Sequence, residues 1–101
     1  MPNNGKPLID AEVVGRRLRG ARIVAGYDRV ADACKAVTLT TGVSLSERTL
    51  YAIERGEQLP TLEQLTAIVM ALDPPGGWAY LMPAYRQDVV EYLTRKRDET
   101  P

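Results

Sequence analysis

A chain of 101 residues with no histidine and a single cysteine, Cys34, makes one small domain, too small for a cleft between two lobes. That composition excludes a Ser-His-Asp or Cys-His catalytic device, an intramolecular disulfide and a Cys/His zinc cluster. The net charge is zero, yet residues 1–56 carry nine basic groups against six acidic ones and residues 57–101 four against seven. A basic half is thus joined to an acidic half; a polyanion partner suits the first, and solvated helix faces would give the same asymmetry.

The 45% apolar and 26% charged fractions are those of a folded globular chain. The longest apolar run, Ala67 to Leu72, falls far short of the roughly 20 residues that span a bilayer. No long apolar stretch opens the N-terminus, and the lone thiol suits a reducing compartment, so the expectation is a cytoplasmic protein with no membrane contact.

Every patterned segment reads as helix. Residues 1–8, with two Pro, two Asn and a Gly, are expected to form a flexible arm. From about Asp10 to Ala25, Val14, Leu18, Ala21 and Ala25 recur at helical spacing, and Gly26 ends the run. Asp28 is placed to cap a second helix whose stripe is Val30, Ala33, Cys34 and Val37. Thr38 to Thr41 weaken that helix before Gly42. Cys34, inside the stripe, reads as a small core residue. A third helix carries Leu50 and Ile53 inward and stops at Gly56. Thr61 and Gln64 form a capping box for a fourth, with Leu62, Leu65, Val69 and Leu72 as its stripe. Asp73 to Gly77 terminate it. An aromatic-rich stretch, Trp78 to Tyr85, precedes a last amphipathic helix to about Arg97. There is no strand-like alternation and no internal repeat.

The segment Gly42 to Gly56, GVSLSERTLYAIERG, carries the chemistry. Taken with LRGARIVAG before it, an ordered set emerges: Arg22 four residues before Gly26, Gly42-Val43-Ser44 leading into helix 3, Thr49-Leu50 to Ile53-Glu54 and Gly56 closing it, then Pro60, Leu62 and Leu65. Over about Val14 to Leu72 this resembles the Cro/CI-type (XRE-like) helix-turn-helix regulators of bacteria and phages. The resemblance implies an all-α, compact bundle of four to five helices with a lambda-repressor-like DNA-binding domain at residues 9–73 and a C-terminal helical extension at 74–101. It departs from the family in one length. Gly26 to Gly42 spans sixteen residues where the family has about ten, so Lys35 to Thr41 either lengthen helix 2 by a turn or loop outward.

Winding helix 3 (residues 46–55) at 100° per residue turns Thr49, Leu50 and Ile53 to the core and Arg48, Tyr51, Ala52 and Arg55 outward, with Glu47 at the edge. In a helix-turn-helix this outward face enters the major groove. The resemblance then makes Glu47, Arg48, Tyr51 and Ala52 the base readers. Arg48 suits guanine O6 and N7, Glu47 cytosine N4, and Ala52 a thymine methyl. Ser44 and Glu47 fit a capping box as an alternative role for Glu47, which would start the helix two residues before a Ser46 cap, and the register that the resemblance implies favours Ser46. Phosphate contacts fall to Arg29 at the start of helix 2, to Arg55, Ser46 and Thr49, and to Arg16 and Arg19, for which a solvated role fits as well. The resemblance also implies that Arg22 and Glu54 pair to clamp helix 3 on helix 1.

These features point to a transcriptional regulator without catalytic machinery, cofactor or metal. Its expected partners are an inverted-repeat double-stranded DNA operator and a second copy of itself. Trp78, Leu81, Tyr85, Val89, Val90 and Leu93 are the candidates for the dimer contact, on a tail the four-helix core does not obviously need. Cutting the chain at about Pro75 is therefore expected to leave a folded monomer. Trp78 with Tyr80 fits core sealing as well as a dimer role. The alternative is a protein-interaction module, such as an antitoxin or antirepressor, that holds its partner through the C-terminal extension.

Overall fold

The computed structural model describes residues 5–99. All regular structure among them is helical: α1 (Ala11–Val24), α2 (Val30–Thr41), α3 (Glu47–Glu54), α4 (Leu62–Leu72), a 3₁₀ segment (Gly77–Ala84) and α5 (Gln87–Glu99). None of these helices is long and apolar enough to cross a membrane.

Local hydrogen bonding sets most of the helix ends. The Asp10 carboxylate accepts from the Glu12 and Val13 amides at 3.0 and 3.3 Å and starts α1. Ser46 accepts from the Thr49 amide at 3.1 Å and starts α3, so the Ser44–Glu47 alternative is not adopted. Thr61 and Gln64 exchange bonds of 3.1 and 2.9 Å and start α4. Asp28 does not cap α2. The capping position belongs to Arg29, which supplies no side-chain acceptor, while the Asp28 carbonyl takes a hydrogen bond from Arg22 at 2.8 Å.

Residues 38–41 do not loop out; they lengthen α2 by a turn. Thr41 donates to the Val37 carbonyl at 2.7 Å and Thr38 to the Val43 carbonyl at 3.1 Å. Gly42 then ends the helix in left-handed conformation at φ 77°, which costs glycine little.

The core is built from α1 against α3, α2 against α4 and α3, and the 3₁₀ segment against α1. Leu18, Val37, Leu50, Ile53, Ile68 and Leu81 are its largest fully buried side chains. Helices α1 and α3 approach closely at Gly15, where an added Cβ would lie 2.5 Å from the carbonyl oxygens of both Ile53 and Glu54. Neither oxygen can swing aside, because both belong to the α3 backbone. Gly15→Ala should therefore destabilise the chain by about 1–3 kcal/mol, the cost of overpacking outweighing the gain in helix propensity of about 1 kcal/mol or less. Urea unfolding measures this; a neutral or stabilised variant would mean that the two helices have slack between them.

The C-terminal tail corrects two expectations. Leu81 is 1% exposed and Ala84 2% exposed in the core, and Tyr85 packs partly buried against it. Leu81 is thus a core residue and offers no dimer surface, because the 3₁₀ segment lays it inward, while Tyr85 is only partly covered. Arg17 fastens that segment: its Nε donates to the Tyr80 carbonyl and its guanidinium lies 4.2 Å from the Tyr80 ring centre. The expected flexible arm is also tied from Lys6 onward. The Asp10 amide donates to the Ala84 carbonyl at 2.7 Å and the Arg86 amide to the Leu8 carbonyl at 2.8 Å, with Ile9 bridged antiparallel to Tyr85. The Arg86 guanidinium adds a bond to the Lys6 carbonyl at 2.8 Å. Residues 1–4 of the expected arm lie outside the described residues.

Candidate nucleic-acid interface

Helix α3 is short and is held from behind. Leu50 and Ile53 are buried, Thr49 and Ala52 half-buried, and Glu47, Arg48, Tyr51 and Arg55 exposed. Behind it, the Arg22 guanidinium meets the Glu54 carboxylate in a two-point pair, Nε to Oε2 at 2.8 Å and Nη2 to Oε1 at 3.0 Å. The remaining nitrogen, Nη1, donates to the Tyr27 and Asp28 carbonyls at 2.7 and 2.8 Å. One side chain thereby ties α1, the turn before α2, and the end of α3. Both partners are nearly sealed, their side chains 7% and 6% exposed. Hydrogen bonding to Glu54 raises the Arg22 pKa above its ordinary value, against the burial that lowers it.

In front of this pair lies a shallow concavity of about 520 Å³. Arg19 of α1 stands on one side, Asp28, Arg29 and the first turn of α2 on another, and Glu47, Tyr51 and Arg55 of α3 on the third. The Arg22–Glu54 pair forms its floor. Tyr51, 47% exposed, presents an aromatic face there. Arg29 places no side-chain acceptor on the first turn of α2, whose N-terminal partial positive charge stands at the rim and is offset in part by Asp32 in the same turn.

The candidate residues divide by state. Arg16, Arg19, Arg29 and Arg48 are exposed and carry no ion pair among the described residues. Arg55 is engaged: its Nε lies 2.8 Å from Glu57 Oε2, and its guanidinium sits 6.0 Å from the Tyr51 ring centre. Ser46 donates its hydroxyl to Thr49 Oγ1 at 2.9 Å, so these two hydroxyls first satisfy each other at the start of α3. Arg48 and Ala52 lie on the opposite flank of the outward arc of α3 from the concavity, and Arg16 lies one turn before Arg19 on α1. Trp78, Val89, Val90 and Leu93 do not line the concavity.

Sequence reasoning missed two contributors. Asp28, read as a helix cap, is instead an acidic wall of the concavity. Lys35 lines a second, apolar groove between α2 and the start of α3, together with Cys34, Leu39 and Leu45. Periodicity along α2 places Lys35 outward but says nothing of which neighbour it meets. Cys34 is buried, and burial raises its thiol pKa, which makes it a poor nucleophile.

Five arginines and a helix N-terminus face outward, three acids (Asp28, Glu47 and Glu57) interrupt them, and the presenting helix is fixed by a buried ion pair. Comparison with protein-family models, with curated proteins and with solved structures finds no match to this chain.

Proposed function

We propose that the chain is a sequence-specific double-stranded DNA-binding regulator, with α3 entering the major groove and the rim arginines lying along the flanking phosphates. The observation that carries this reading is α3 itself. It is an eight-residue helix whose inner face is locked by Leu50, Ile53 and the Arg22–Glu54 pair, and whose outer face offers Arg48 without a partner. An unpaired guanidinium on a rigidly held helix suits the O6/N7 edge of guanine. Arg19 and Arg29, with the first turn of α2, suit the phosphates that set register. Glu47 beside them favours a cytosine amino group over a phosphate, which supports sequence readout and not mere charge attraction. Two copies on an inverted repeat complete the reading, since one short recognition helix covers only a few base pairs.

Selection of bound duplexes from a random pool, followed by a salt titration on the winner, tests it. With about three or four phosphate contacts per subunit, log K should fall linearly with log[salt] with a slope of roughly −5 to −7 for the dimer. Arg48→Ala should keep its melting temperature and lose about 1–3 kcal/mol at one base pair of each half-site. A slope near zero, or unchanged base preference in Arg48→Ala, would refute the proposed docking.

A further inference from the structure

Helix α3 ends in a fixed, hydrogen-bonded turn. Arg55 is its C-terminal capping residue, and Gly56 turns left-handed at φ 76°. The Gly56 amide donates to the Ile53 carbonyl at 3.0 Å and the Glu57 amide to the Ala52 carbonyl at 2.9 Å, the two bonds that close a helix through a left-handed residue. A Cβ at Gly56 would lie 2.8 Å from the Glu12 Cα, so the turn is also packed against the start of α1. The backbone of Glu57 is thereby held two residues beyond Arg55. Its carboxylate meets the guanidinium with Oε2 2.8 Å from Nε and, more loosely, accepts from Nη2 at 3.5 Å on Oε1. Arg55 lines the concavity, together with the Tyr51 ring 6.0 Å from its guanidinium, whereas Glu57 does not. Arg19 and Arg29, the other exposed arginines of that wall, have no ion pair among the described residues.

We infer that Glu57 is an intramolecular competitor for the phosphate that Arg55 takes: the free protein keeps Arg55 on Glu57, and a nucleic-acid phosphate arriving at the concavity displaces the carboxylate. This inference rests on the DNA reading and adds to it a control on affinity. Both side chains are more than half exposed, 61% and 57%, so the pair is weak and opens readily. A duplex presents closely spaced phosphates that release counterions when an arginine takes their place. One exposed carboxylate offers no comparable gain, and the exchange runs toward the duplex. Each binding event must still open the pair, so apparent affinity falls by the fraction of molecules in which Arg55 is free. For an exposed pair that reduction is about two- to fivefold per bound subunit. Because the contact is to phosphate, Glu57 weakens binding to all sequences alike and leaves base preference to the outer face of α3.

A double-mutant cycle tests the exchange, with fluorescence anisotropy on a short mixed-sequence duplex at about 50 mM salt. Glu57→Gln should bind about two- to fivefold more tightly per subunit, with its melting temperature unchanged. In an Arg55→Ala background the same substitution should lose most of that gain. Arg55→Ala alone should make the salt slope shallower by about one per subunit. No tightening in Glu57→Gln, an unchanged slope in Arg55→Ala, or an equal gain with and without Arg55 overturns the exchange; the last outcome would reduce Glu57 to a general repulsive charge. A base preference altered by Glu57→Gln would place Arg55 on a base edge and overturn it too. A wild type that binds the mixed duplex and selects no sequence refutes the regulator reading alone, since the cycle is still read on that duplex. A wild type that binds no duplex overturns both.

Discussion

Glu54→Ala should lower the melting temperature by roughly 12–40 °C, equivalent to about 3–5 kcal/mol. The size follows from what is left behind. Arg22 keeps its charge, stays buried and retains only the Tyr27 and Asp28 carbonyls as acceptors. The side chains of the pair are 7% and 6% exposed, so water entering from the concavity above replaces only part of the lost pairing. A domain of this length has about 5–15 kcal/mol to lose, so the variant gives up a large share of its stability. The exposed Arg55–Glu57 pair, at 2.8 Å with side chains 61% and 57% exposed, supplies the contrast. Glu57→Ala should scarcely move the melt despite the same separation, because solvent already screens it. Calorimetry on the two variants makes the comparison; similar melting temperatures would mean that the Arg22–Glu54 pair is solvated after all.

The second large effect concerns the tail. A chain ending at Pro75 should lose its cooperative thermal transition, whereas one ending at Arg86 should keep it. The shorter chain gives up Leu81, 1% exposed, and Ala84, 2% exposed, and uncovers the side of α1 on which they lie. Burying one leucine contributes about 1.5–3 kcal/mol. The Arg17 contacts to Tyr80 and the bonds from Asp10 and Arg86 go with it. Circular dichroism melts of the two truncations decide the matter. A cooperative transition for the Pro75 chain within a few degrees of full length would show that residues 76–86 only decorate the domain.

What was legible in the sequence follows the range of the interaction. Ser46 and the Thr61–Gln64 box bond within three residues of themselves, so the chain announces those starts locally, although the equally local Asp28 signal is not used because Arg29 takes the cap position. The outward arc of α3 was legible for the same reason, since helical winding alone sorts it. The length of α2 was not. Propensity disfavours Thr38 to Thr41 by only tenths of a kcal/mol each, and the Thr38 and Thr41 hydroxyl bonds with the Gly42 terminus are consistent with the helix winning. The concavity was only half legible, because Arg19, Asp28 and Tyr51 meet through folding and share no spacing. Least legible was the burial of Leu81, whose partner helix lies some sixty residues earlier in the chain, like the Arg17–Tyr80 contact at a separation of 63.

That long-range closure has a consequence for the order of events at synthesis. Helices α1 to α4 wind on local bonds far faster than the chain is made, and become stable once they pack on one another. The strap between residues 6–10 and 84–86 joins positions as much as 80 apart, and closing so long a loop costs entropy before it returns contacts. The ribosome must therefore release the chain through residue 86 before α1 receives its final cover. Until then the nascent protein carries an uncovered apolar side of α1, and a transcript broken before codon 86 yields a chain without its closing segment. The domain is completed from both ends at once, and only by a chain translated through its strap.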